Sequence, residues 1–414
     1  MDVVESAAQS SSHEANNEER ILKRRFGSVA ANAILVLASV ALTLGLVELG
    51  SWLWVTKIRP QQLTQWEFRA TQPPPYQGAE YFSTEFLAEA EKSVSGTLST
   101  IAELRDFKGR YFNVVNGFRV TTDAPAGPVR RVLMFGGSTL FGQEVPDRYT
   151  IPSYLQRMLN QSGVRWQVLN FGLPGMNTVQ QTLILERVRL RKGDIVVFYH
   201  GVNDIYYLVF GGYTDGWVKG EPAFRPVQKL SALNKWLHAW HEHLKGYSYT
   251  AQVALDIYRR GEPETVTDPT QLKRSVANAS KQFHDSLVEA AGVAHKAGAS
   301  FVHFLQPTAF SDTRLTPYER TILRNPLTTA PGVDIAFHVG YPQLRDEAVA
   351  LAGKGIEFHD ISDALDGRPD GDEVFLDFCH LNHEGNRLIA ERMMDVYFRP
   401  LISPHSTREP APGR

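Results

Sequence analysis

The sequence predicts a doubly wound α/β domain preceded by one membrane-spanning helix. Three observations lead there. Short apolar runs alternate five times with segments of helical spacing between Arg131 and Phe398. Those runs are apolar at successive positions rather than at every second one, as in parallel strands covered on both faces. One further stretch, Phe26 to Val47, carries no charge at all. The 414 residues are 43% hydrophobic and 21% charged, which suffices for a sizeable core and excludes wholesale disorder. Lys plus Arg (43) nearly balances Asp plus Glu (45), so there is no electrostatic footprint for nucleic acid. Cys379 is the single cysteine, which excludes an intrachain disulfide and any multi-cysteine metal site but leaves the redox compartment open.

Residues 1–25 open on a polar run, SAAQSSSHEANNEE, expected to be a disordered tail. The uncharged run then reaches across a hydrocarbon core of roughly 30 Å, and Trp52 and Trp54 follow where an interfacial aromatic belt would lie. It is longer than a usual signal-peptide core, and no small-x-small cleavage pattern precedes Trp52, so residues 26–55 read as an uncleaved signal anchor. Arg20, Lys23, Arg24 and Arg25 crowd its N-terminal flank, while Lys57, Arg59 and Arg69 are sparser beyond it. The positive-inside rule then keeps the tail cytoplasmic and exports the rest to the extracytoplasmic (periplasmic) side.

Residues 56–130 read as an irregular exported linker or extension. TQPPPY (71–76) is a polyproline-like spacer, residues 79–94 form one short helix, and Asn116-Gly117 marks a tight turn. The regular pattern follows: strand RVLMFGG (131–137), helix 149–160, strand WQVLNFG (166–172), helix 178–191 and strand DIVVFYHG (194–201). After an interruption come helix 271–298, strand SFVHFLQP (300–307), helix 341–355, strand IEFHDI (356–361) and helix 383–398. The expectation is a flavodoxin-like, five-stranded parallel sheet with helices on both faces, over 131–400, and a short tail over 401–414. Such sheets carry their chemistry beyond the C-terminal ends of the strands.

The first strand ends in GGSTLFG (136–142), which presents Ser138 at a strand-to-helix turn; the alternative is a turn that merely caps the helix. The G-x-S-x-G elbow does not fit, because Leu140 stands where its last glycine belongs. The second strand ends in NFGLPGMNT (170–178), where the Gly175 N–H can approach a ligand or simply serve a turn after Pro174. Asn203, in GVNDI, lies just beyond the third strand and reads either as an amide donor or as an Asx-turn residue. Near the C-terminus, in DFCHLNHEGN (377–386), Asp377 and His380 are three apart. One turn can bring the carboxylate to one imidazole nitrogen and leave the other to accept a serine proton. Alternatives are a surface histidine beside a helix cap at Asn382, or a zinc site of His380, His383 and Asp377. The zinc set lacks an H-E-x-x-H arrangement and a clear fourth ligand.

In their order these blocks resemble the SGNH (GDSL) hydrolases, whose name comes from a Ser, a Gly, an Asn and a His in four successive blocks. Ser138, Gly175, Asn203 and His380 match those blocks, and Asp377 matches the aspartate of the D-x-x-H motif, which the H-L-N-x-x-G continuation extends. The resemblance spans about residues 131–398. Gly137 departs from it, standing where the GDS triplet has aspartate. The resemblance implies an esterase in which His380, oriented by Asp377, activates Ser138. Ser138, Gly175 and Asn203 would form the oxyanion hole, without metal or organic cofactor. It implies an ester substrate (an acylated glycan, a lipid or a small ester), with the membrane as the other partner and no nucleic acid. An O-acyltransferase acting on an envelope glycan and an inactive anchored interaction module are the alternatives. Residues 205–270 form an aromatic-rich insertion, read as either an acyl-chain lid or packing for an enlarged domain.

Overall fold

The computed structural model describes residues 32–58, 65–94, 104, 106–127, 129–209, 248–250, 253, 269–312, 314–325, 332–352 and 354–402. The N-terminal tail, residues 403–414 of the C-terminal tail and most of the aromatic-rich insertion, with its lid reading, lie outside the described residues. The chain divides into two compact units, residues 1–62 with 229–262 and residues 63–228 with 263–414.

In the first unit, α1 (Asn32–Lys57) is long and apolar enough to cross a membrane. Ile34, Leu35, Leu37, Leu42, Leu44 and Leu46 are each more than half exposed. Such a helix satisfies its own backbone hydrogen bonds internally, as any segment crossing a hydrocarbon core must. Glu48, the charge at the end of the apolar run, accepts hydrogen bonds from the Tyr249 and Thr250 backbone N–H groups (2.6 and 3.1 Å) and from the Ser248 hydroxyl (2.9 Å). The polar group is thus satisfied within its own unit.

The second unit holds the sheet. Its strands are β1 (Phe107–Lys108), β2 (Asn113–Val115), β3 (Phe118–Arg119), β4 (Arg130–Gly136), β5 (Trp166–Gly172), β6 (Ile195–His200), β7 (Ser300–Leu305) and β8 (Glu357–Asp360). They lie in the order β1-β2-β3-β5-β4-β6-β7-β8. This corrects the expected five-stranded, all-parallel sheet: it is mixed and has eight strands. The run β5-β4-β6-β7-β8 is parallel throughout, while β1, β2 and β3 join antiparallel at the β5 edge. These added strands are two or three residues long, too short to show an alternating pattern. Asn116 and Gly117, at φ +53° and +79°, make the two-residue turn between β2 and β3 that their types favour. Pairing of Arg119 with Asn170 then fastens the hairpin to β5.

In chain order the helices of this unit are α2 (Gln65–Ala70), α3 (Thr84–Val94), α4 (Ser138–Phe141), α5 (Ile151–Asn160), α6 (Thr178–Leu185) and α7 (Val202–Val209). They continue with α8 (Pro269–Lys296), α9 (Pro317–Ile322), α10 (Val333–Ala352), α11 (His383–Met393) and α12 (Arg399–Ile402). Period-two alternation sends neighbouring strand residues to opposite faces. Leu133, Phe135, Phe198 and Phe301 enter one core with α6, α7, α8 and α10. Val132, Met134, Val197 and Phe304 enter the other with α5 and α11. Each fully buried side chain of this kind contributes about 1.5–3 kcal/mol.

Residues 65–94, expected to be mostly irregular, fold against the same unit. Tyr76, Tyr81, Phe86 and Leu87 pack with Phe112, Val145 and Leu376 in a third core, and Leu376 directly precedes Asp377. Two buried arginines continue the tie. Arg119 donates to Asp147 (2.6 Å) and to the carbonyls of Phe141, Gly142 and Val145, and so braces the segment after α4. Arg69, on α2, reaches the Asp377 loop.

Candidate active site

The parallel strands β4, β5 and β6 end at Gly136, Gly172 and His200, and the sequence-predicted residues follow on the connections beyond them. Ser138 opens the single turn α4, which Gly142 closes in the left-handed conformation at φ +80°. As a first-turn residue its backbone N–H has no acceptor within the helix. Asn170 serves the scaffold: its side chain donates to the Leu140 carbonyl (3.1 Å) and accepts from the Gly172 N–H (2.9 Å). Gly175 adopts φ +74°, a region that favours glycine, in the turn before the Asn177–Gln180 capping box of α6.

Asn203, in the first turn of α7, donates through Nδ2 to the Met176 carbonyl at 2.8 Å. A Cβ on Gly137 would lie 2.5 Å from that nitrogen. A side chain at position 137 would therefore press on the Asn203 amide, which would have to shift to admit it. Asp204 ties the two turns together by accepting from the Thr178 N–H, the Thr178 hydroxyl and the Gly201 N–H (3.1, 3.1 and 3.2 Å). Burial pushes its carboxyl up to about 6, although the Thr178 and Gly201 bonds act in the other direction.

The D-x-x-H block folds back on itself. The Leu376 N–H donates to the His380 carbonyl (2.8 Å), and Phe375 bridges to Leu381. Glu319 accepts from the Val374 and Phe375 N–H groups and so fixes the approach to Asp377. Within this loop, Asp377 Oδ1 accepts from the Cys379 and His380 N–H groups (2.9 and 2.8 Å), and Oδ2 lies 2.7 Å from His380 Nδ1. The other imidazole nitrogen, Nε2, lies 2.7 Å from Ser138 Oγ. Three side chains separated by as many as 242 positions thus form one hydrogen-bonded chain, and the hydroxyl and imidazole at its outer end are partly exposed. A hydroxyl bonded to an imidazole that a carboxylate orients in turn is the arrangement that activates a nucleophile.

The electrostatics agree with an ionised carboxylate at the inner end. Burial opposes the Asp377 charge, but the neighbouring imidazole, its hydrogen bonds and the Arg69 cation together hold the carboxyl well below its ordinary range. Against the cost of burial, the Asp377 charge raises the basicity of His380. Cys379 is buried, with Sγ 3.6 Å from His380 Nδ1, and burial pushes its thiol up to about 11.

His383 takes no part in this chain. It packs against Tyr81 and Tyr149, with Nδ1 3.5 Å from the Tyr81 hydroxyl. Asn382 caps α11, as one alternative supposed, while its amide donates to the carbonyls of Pro75 and Glu373. The zinc set is not assembled as written, since His383 is engaged elsewhere. Among the described residues, Asp377, Cys379 and His380 have donor atoms within 4.8 Å of one another, and all three already bond within the loop.

Sequence reasoning missed Arg69, Glu144 and Tyr76. Arg69 is 1% exposed and its Nη2 lies 2.7 Å from Asp377 Oδ2, across 308 positions. Its Nη1 donates to the Leu376 carbonyl (2.7 Å), and Nε and Nη2 reach Glu144 at 3.1–3.2 Å. Tyr76 donates to the same Glu144 carboxylate (2.5 Å). Nothing local marks Arg69; a basic residue in a six-residue helix ordinarily faces solvent.

No family model matches the chain, and no curated protein matches it. Among solved structures, the fold is similar to a member of the lipolytic G-D-S-L family from Veillonella parvula, with 16% identity, a TM-score of 0.37, and 66% of this chain and 100% of that one covered. It is also similar to a catalytic mutant of Axe2, an acetylxylan esterase from Geobacillus stearothermophilus, at 12% identity and a TM-score of 0.34, covering 65% and 94% of the two chains. AlinE4, an SGNH-hydrolase family esterase, aligns at 13% identity with a TM-score of 0.31, over 67% of this chain and 99% of that one.

Proposed function

We propose that this protein is a membrane-anchored serine esterase that cleaves a carboxylic ester through an acyl-enzyme. One observation carries the reading: the continuous Ser138–His380–Asp377 hydrogen-bonded chain, with distances of 2.7 Å at both of its links. In the proposed reaction, Ser138 Oγ attacks the acyl carbon while its proton passes to His380 Nε2. The negative charge on the carbonyl oxygen is met by the Ser138 and Gly175 N–H groups and by the Asn203 amide, which has a second hydrogen beyond the one given to Met176. The imidazolium then protonates the departing alkoxide, and the C–O bond to it breaks. Water, deprotonated by His380, attacks the acyl-serine; collapse of that second adduct returns the proton to Ser138 and releases the acid. Asp377 stays ionised throughout and stabilises the imidazolium.

The apolar α1 would hold the enzyme in the membrane, and the basic cluster from Arg20 to Arg25 favours a cytoplasmic N-terminus with the enzyme on the exported side. A fluorophosphonate probe should label the wild-type chain and leave Ser138→Ala unlabelled; labelling of another serine in the variant overturns the reading. On spheroplasts, external protease should digest the second unit and spare the N-terminal tail. The reverse pattern refutes the orientation.

A further inference from the structure

Arg69 places a buried cation against the inner end of the Ser138–His380–Asp377 chain. Its Nη2 and the His380 Nδ1 meet the same oxygen, Asp377 Oδ2, each at 2.7 Å. Its remaining N–H groups hold the Leu376 carbonyl, one residue before Asp377, and the Glu144 carboxylate, three residues after the one-turn helix that Ser138 opens. One side chain therefore touches both the Asp377 loop and the segment that follows Ser138. It belongs to the part of the chain between the membrane helix and the sheet.

We propose that Arg69 is a positioning residue for the esterase site, which fixes the Asp377 carboxylate and divides its negative charge between a guanidinium and the His380 imidazole. The inference rests on the esterase reading above for the use made of that imidazole. The charge count gives it a sign. With His380 neutral, Asp377, Glu144 and Arg69 sum to one negative charge, and protonation of His380 brings the cluster to neutrality. Without Arg69 the imidazole faces two uncompensated carboxylates and holds its proton to higher pH. Without the Glu144 charge, Arg69 is balanced by Asp377 alone and the imidazole releases its proton at lower pH. Among the described residues, Cys379 and Tyr206 also lie near His380, Tyr76 lies beside Glu144 and Arg69, and Tyr318 lies beside Asp377; burial pushes these four up so that they remain uncharged, while the nearby Glu319 is paired with Arg368 and Glu373 accepts from Thr316 in every variant.

The test follows the His380 imidazole directly in the full-length protein in detergent micelles. Nitrogen-15 NMR titration, with the resonance assigned through His380→Asn, is run beside the pH profile of kcat/KM on a p-nitrophenyl ester. Arg69→Gln should raise the His380 midpoint, and with it the acid limb of the profile, by about one unit or more, and Glu144→Gln should lower both. Arg69→Lys retains the charge and loses the fork, so kcat should fall about tenfold while the midpoint stays within about 0.3 unit of wild type. A merely structural role would reduce kcat or stability without these opposed shifts. Midpoints that stay within about 0.3 unit in both charge variants, or that move in the same direction, overturn the proposal. Should Arg69→Gln fail to fold, Glu144→Gln and Arg69→Lys still decide it. Opposed shifts in a protein whose Ser138 takes no fluorophosphonate would support the role of Arg69 and refute the esterase reading separately.

Discussion

Replacing Gly137 by alanine adds one methyl group next to the proposed nucleophile, and its consequence can be worked from the geometry. The backbone there is extended, at φ −82° and ψ −155°, so alanine meets no conformational strain. Its Cβ, however, would lie 2.5 Å from Asn203 Nδ2, whereas ordinary contact begins near 3.4 Å. The amide must therefore retreat by about 0.9 Å, which breaks its 2.8 Å bond to the Met176 carbonyl and moves it away from the position assigned to the oxyanion. A misplacement of about 1 Å at a reacting centre costs on the order of 100-fold in rate. Complete removal of one such donor costs about 2.7–4 kcal/mol, or roughly 100- to 1,000-fold. Gly137→Ala should thus lower kcat about 100-fold and Asn203→Ala about 100- to 1,000-fold, with KM little changed because the donor acts mainly on the transition state. In a double-mutant cycle, Gly137→Ala added to Asn203→Ala should cost less than about twofold, since the group it displaces is already gone. The measurements are kcat on a p-nitrophenyl ester and thermal unfolding of the same preparations. A Gly137→Ala enzyme within about twofold of wild type refutes the reasoning, as does an equal loss in both backgrounds.

Asp377→Asn should keep the fold and lower kcat by about 10,000-fold, because an amide no longer selects the required imidazole tautomer; steady-state kinetics with a circular dichroism control checks this. Asp204 carries a pH signature. Its folded carboxyl, raised from 3.8 to about 6, binds its proton more tightly than the unfolded one, so its contribution to stability is fully present below about pH 4 and is lost as pH rises through about 6. The stability of wild type relative to Asp204→Asn, from urea unfolding, should therefore decline by about 2.4 kcal/mol between pH 4 and pH 7. A difference that rises with pH would contradict the assignment. Arg119→Met leaves Asp147 buried without its cation and should destabilise the protein by about 3–5 kcal/mol, read as a lowered Tm and denaturation midpoint.

Four of the five parallel strands, β4 to β7, were legible as runs rich in consecutive apolar residues and ended by a glycine or a polar turn, whereas β8, with Phe358 between Glu357 and His359, was marked by its place in the alternation. Alternate members of a run such as Val132 to Phe135 go to different cores, so apolarity at every position is what burial on both faces demands. The residues of the hydrogen-bonded chain were legible for a related reason. In a parallel sheet, successive strand ends lie on one face, so Ser138, which follows β4, falls on the same face as Gly175 and Asn203, which follow β5 and β6. The spacing of Asp377 and His380 likewise states a local contact. Strands β1 to β3 were not legible as strands: two or three residues carry no period, and only the Asn116-Gly117 turn could be read.

The sequence by itself determined the periodic elements, the long apolar helix near the N-terminus and the contacts made within one turn of chain, because these depend on neighbours a few residues apart. The tertiary structure alone decided which distant groups share a buried carboxylate. Arg69 meets Asp377 across 308 positions, Arg119 braces the segment after α4, and the Asn203 amide packs against the space a side chain at Gly137 would enter. Such contacts leave no local trace, since a buried ion pair is specified by where two surfaces close on each other and not by the residues beside either partner.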